Sequence, residues 1–137
     1  MSHKTCCVDV GGQQFLLEME YIQKVLPPTP ITPIPLTPKF VSGLINVRSE
    51  VVVVIHLGNL LHIRAKKNNH ILLVQHRSEK IGILIDEIRS FESFATPLLS
   101  LAANEFPQEV LRYAKGVAGE GRLPVIDIEK IELIHSD

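Results

Sequence analysis

The residues of this 137-residue chain that could do chemistry are six histidines, two cysteines and one adjacent pair of acids. His56 and His62, joined by a distant Cys6 or Cys7, have the donor types of a zinc site. Such sites usually contain at least one close ligand pair, and a six-residue spacing across a strand-helix junction does not make one. His70 and His76 stand at opposite ends of one expected strand, roughly 20 Å apart at 3.3 Å per residue, so they cannot share an ion. Cys6 and Cys7 are neighbours, which sends their side chains to opposite faces of a strand and keeps them from pairing with each other. Asp86 and Glu87 diverge in the same way and cannot act on one substrate together, so a solvated strand end is expected there.

The recognisable catalytic motifs are missing. The chain has no Gly-x-Ser-x-Gly turn, no phosphate loop ending in Gly-Lys-Ser/Thr and no His-Glu-x-x-His. Gly116, Gly119 and Gly121 precede an expected strand, whereas a nucleotide loop must open onto a helix N-terminus to aim amides at phosphate. No enzyme activity, cofactor or metal is expected. Arg48 lies among Ile45, Val47 and Val51, where an unpaired guanidinium is costly. It must reach the rim, join a structural ion pair or serve a ligand.

The elements that position these groups read as mainly β with short helices. Thr5 to Val10 alternates, Gly11-Gly12 supplies a tight turn, and Phe15 to Met19 alternates again, which is a hairpin signal. Six of the nine prolines fall between Pro27 and Pro38. That density denies backbone donors to helix and sheet and favours an extended surface connection. Val51 to Ile55 reads as a strand buried on both faces, followed by a short segment from Leu57 to Ile63. Ile71 to His76 and Ile81 to Ile88 form a second hairpin across Arg77-Ser78-Glu79-Lys80. Pro107 to Ala114 reads as a short helix, Arg122 to Ile126 as a strand, and Asp127 as the cap of a last helix.

Composition narrows the function classes. Val, Ile and Leu supply 45 residues, enough for one core that buries roughly two-thirds of the unfolded surface. The net charge is −1 and the pI about 6.6, so the broad field of Lys and Arg that nucleic acid requires is missing. The one basic cluster, Arg64, Lys66 and Lys67, reads as a solvated loop. The longest apolar run is five residues, far short of the ~20 of a spanning helix, and Met1-Ser2-His3-Lys4 opens no signal peptide. A soluble protein of a reducing cytoplasm, without direct membrane insertion, is expected.

The order of motifs is itself informative. Gly11-Gly12-Gln13-Gln14-Phe15 leads to Val25, and Pro38-Lys39-Phe40-Val41-Ser42-Gly43-Leu44-Ile45-Asn46-Val47-Arg48 leads to Val51–Leu57. Ile81 to Ile88, Lys115-Gly116-Val117 and Val125 to Ile131 follow. As an ordered set these resemble the CheW family of bacterial chemotaxis adaptors along nearly the whole chain. The resemblance implies one domain, 1–137, of two small five-stranded β-barrel lobes around a shared apolar core. Lobe one would take about 5–67 plus 127–137, and lobe two about 68–126.

It also implies a non-enzymatic coupler in the bacterial cytoplasm, associated with receptor arrays. Its partners would be the cytoplasmic tip of chemoreceptors and the regulatory domain of a CheA-type histidine kinase. Carried over by position, Ile22, Val25, Gly43, Asn46, Arg48, Ile71 and Ile88 would bind the receptor, and the kinase contacts stay unassigned. The chain departs from the family pattern at three places. Lys24 replaces an acid that would pair with Arg48, Ser49 replaces a glycine, and His56 replaces an aspartate. These departures keep open a stand-alone binding module without kinase coupling. A small metal- or ligand-binding enzyme built on His56 and His62 is the remote alternative.

Overall fold

A computed structural model describes residues 2–67, 70–95, 98–119 and 121–135. The N-terminal hairpin forms as expected: β1 (Ser2–Val10) pairs antiparallel with β2 (Gln13–Glu18) around Gly11 and Gly12, at φ 60° and 85°. Both angles are left-handed, which glycine adopts without a Cβ penalty. A 3₁₀ turn at Met19–Tyr21 leads into β3 (Ile22–Leu26), and the proline-rich segment then runs to β4 (Val41–Val47). Next come β5 (Glu50–His56), α1 (Leu57–Leu60), β6 (His70–His76), β7 (Glu79–Ile85) and β8 (Glu87–Ala95). The chain continues through α2 (Gln108–Tyr113), β9 (Ala114–Ala118), β10 (Leu123–Ile126) and α3 (Ile128–His135).

The strands form two five-stranded sheets, ordered β8-β1-β2-β10-β9 and β3-β6-β7-β5-β4. Parallel pairing of β10 with β2 and of β5 with β7 draws together segments remote in sequence. One expectation is corrected by this topology. The sheets are open, with β8 and β9 at the edges of one and β3 and β4 at the edges of the other, so neither is a closed barrel. The two sheets draw differently on the chain. The first takes strands from both ends of the chain, and the second takes its strands from 22–85.

The shared core is present. Val8, Phe15 and Leu17 of the first sheet meet Ile55, Leu72, Ile83 and Ile85 of the second, and Ile128 and Ile131 of α3 close over them. Each sheet also buries part of its other face. Val52, Val54, Ile71, Leu73 and Leu84 form a cluster on the outside of the second sheet, against which Ile31 of the proline-rich segment packs. A bridge from Thr32 to Leu44, with both N–H···O distances 2.8 Å, holds this strap down. Gly43 is what allows so close an approach: a Cβ there would lie 2.2 Å from the Thr32 carbonyl oxygen. Burial on both faces explains why β5 reads as an unbroken apolar run. The exception is Val51, which is 67% exposed beside the β4–β5 turn.

Candidate functional site: a cationic groove on the second sheet

The groups singled out for chemistry resolve into structural ones. Cys6 and Cys7 are free and buried on opposite faces of β1, one in the inter-sheet core and the other in the small outer cluster of the first sheet. Burial pushes the Cys6 thiol up to about 11, so it is an inert apolar side chain. His70 and His76 occupy the two ends of β6, and His76 Nε2 lies 2.8 Å from Glu129 of α3. His62 is exposed in the turn after α1. No group of three metal-ligating side chains comes together among the described residues.

His56 caps α1: its Nδ1 accepts a hydrogen bond from Asn59 N–H at 2.9 Å. Burial lowers its pKa, which favours the neutral ring that this acceptor role requires.

Asp86 corrects the expectation of a solvated strand end. It is 3% exposed and accepts three backbone N–H groups, from Gly11 at 2.7 Å, Lys66 at 2.8 Å and Lys67 at 2.9 Å. One carboxylate thereby fastens the β1–β2 turn, the Lys66-Lys67 segment and the passage from β7 to β8. Glu87 does point the other way, to a surface ion pair with Lys67 at 3.0 Å. A further polar pair escapes the motif search: Glu18, 4% exposed, accepts from Lys115 Nζ at 2.7 Å. The available signal was an acid at the end of an apolar strand, which can be buried only with donors around it.

The seven residues carried over as receptor contacts are dispersed. Arg48 and Asn46 are exposed at the β4–β5 hairpin, and Val25 is 37% exposed on the edge strand β3. Ile22 is partly buried against the inter-sheet core. Gly43 lies beneath the strap, and Ile71, 1% exposed, is inside the cluster the strap covers. Ile88 belongs to the other sheet, opposite Val8. Asn46 borders a recess with Pro30, Thr32 and Val51, and its Oδ1 accepts from Ser49 N–H at 2.9 Å.

Arg48 instead lines a groove of about 500 Å³ with Gln23, Lys24, Val47, Glu50, Leu73 and Lys80. The groove crosses β3, β6, β7 and the β4–β5 turn. Lys24 sits directly opposite Leu73 in the register of β3 with β6, so the two share a face. Glu50 is engaged by Lys80 at 3.1 Å. Among the described residues no carboxylate pairs with Lys24 or Arg48. Arg48 and Ser49 both hold positive φ, 49° and 70°, in the tight turn where Asn-Gly is the preferred pair. The substituted glycine position therefore does require a left-handed residue. Groove and turn form a surface of exposed cations beside an apolar patch, suited to binding.

Comparison with known proteins agrees with this. The model of the CheW-like domain family matches residues 4–133. The chain is 27% identical to the chemotaxis protein CheW of Thermotoga maritima over 129 residues, covering 90% of this chain and 83% of that one. It is 24% identical to the CheW of Treponema pallidum over 136 residues, covering 89% and 77%. The crystal structure of the scaffolding protein TtCheW from Thermoanaerobacter tengcongensis superposes with a TM-score of 0.79 at 22% identity, covering 93% of this chain and 88% of that one. With the family model spanning nearly every residue and the topology shared, this chain belongs to the CheW-like domain family and is a non-enzymatic adaptor.

Proposed function

We propose that this protein is a chemotaxis adaptor of the cytoplasm that couples chemoreceptor tips to the regulatory domain of a CheA-type histidine kinase within receptor arrays. The observation that carries the reading is the family match over residues 4–133, joined to a sheet surface that offers exposed cations beside an apolar patch. Arg48 is the residue assigned to the receptor side, because it is exposed and held in an unfavourable backbone conformation at the groove. No membrane contact enters this role, and no described helix is long and apolar enough to cross a membrane.

The test is direct binding to the purified kinase regulatory domain. A complex forming in the micromolar range is expected of a transient signalling interface, and no complex at ~100 μM would overturn the kinase half of the reading. A second reading, a stand-alone module of the same fold, is favoured by one observation: Lys24 and Arg48 share the groove, and among the described residues neither is paired with a carboxylate. Receptor binding without kinase binding, or the reverse, would select it.

A further inference from the structure

We infer that the groove between β3 and the β4–β5 turn takes an acidic, amphipathic protein segment, one that seats an apolar side chain on Leu73 and Val47 and directs carboxylates to Lys24 and Arg48. The inference rests on the adaptor reading for the identity of the partner and on the groove itself for the partner's chemistry. Among the described residues three cations line this groove, and its one carboxylate, Glu50, is already held by Lys80. Lys24 and Arg48 are both exposed, and among the described residues no acid neutralises them. An anion that enters the groove is attracted by both.

The floor supplies the second half of the argument. Leu73, 4% exposed, and the half-buried Val47 belong to the apolar cluster on the outside of the second sheet, which the proline-rich strap joins through Ile31, and Val47 is the part of this floor that a partner reaches. The strap is bridged to β4 at Leu44, whereas the groove lies at the hairpin end, by Val47 and Arg48. A free inorganic anion would satisfy the cations and leave this floor unused. A protein segment with acids flanking an apolar residue, spaced as on one helix face, uses both. The backbone of Arg48 points the same way. A left-handed arginine costs stability that asparagine or glycine would not, and the turn nevertheless presents a long cation to the groove.

The experiment uses the full chain and two fluorescent helical peptides of about 20 residues with the same leucine face, one flanked by glutamates and the other by lysines. The acidic peptide is expected to bind about tenfold or more tightly than the basic one, and to weaken as salt rises from about 0.05 to about 0.5 M. Lys24→Glu combined with Arg48→Glu should reverse the preference. Both side chains are exposed, and an unchanged melting profile verifies that the fold is intact. Replacing the central leucine of the acidic peptide by serine should weaken binding further.

Equal binding of the two peptides, or a preference untouched by the double variant, would overturn the inference. So would tripolyphosphate binding as tightly as the acidic peptide, because a free anion would then be the occupant. The adaptor reading fails separately: a chain that prefers the acidic peptide but binds no kinase domain loses the coupling role and keeps the groove chemistry. A chain that couples to kinase without peptide preference does the opposite.

Discussion

Single residues here hold backbone conformations that their side chains disfavour. Ser49 at φ 70° and Leu36 at φ 63° are left-handed, and Leu36 is also fully exposed. Ser49→Gly and Leu36→Asn should each raise unfolding stability by roughly 0.5 to 1 kcal/mol, measured by urea denaturation, because neither loses a buried contact. A fall in stability at either position would mean that the side chain makes a contact of its own. His56 couples the fold to pH. Its lowered native pKa means that the unfolded chain takes up this proton near pH 6.5 while the folded chain still resists it. The cap's contribution is therefore complete above the unfolded value and is lost as pH falls toward the native one. His56→Asp retains an acceptor for Asn59 N–H and should flatten the stability profile between about pH 5 and pH 7 relative to the parent chain. An unchanged profile would contradict this role of His56.

At the scale of elements, joints between strands matter more than the strands. Asp86 ties three segments through charge-assisted hydrogen bonds, so Asp86→Asn should destabilise by about 2 to 4 kcal/mol, since its amide nitrogen would face backbone donors. Gly43→Ala must push the strap away from β4, and faster amide exchange at Thr32 and Leu44 would report it. The hairpins β1–β2 and β6–β7 were legible because period-two alternation and turn residues are local signals. The strand β3 was not, because Gln23 and Lys24 interrupt five short residues at a sheet edge. Along β8 a register shift against Cys7 and Val8 breaks the alternation that would have revealed it. The role of Asp86 was hidden because its donors come from residues 19 to 75 positions away. The cations of the groove could be named from the sequence, but their assembly with Leu73 and Lys80 depends on pairings across β3, β6 and β7.

The whole molecule is two open sheets on one core, crossed by two parallel pairings that no local pattern announces. That is why a single core was foreseeable from composition while the long-range pairing of its strands was not. Buried sheets joined by short helices form a firm support for surface groups, and the binding surface inferred here lies where the second sheet meets its tightest turn. An adaptor needs no more than such surfaces, placed so that two partners are held together. The central claim is therefore tested most directly by a phosphorylation time course of the partner kinase with receptor fragments, run with and without this protein at equal concentrations. The account predicts receptor-dependent stimulation that Arg48→Glu weakens while the fold persists. No change in kinase activity on adding folded protein would contradict it.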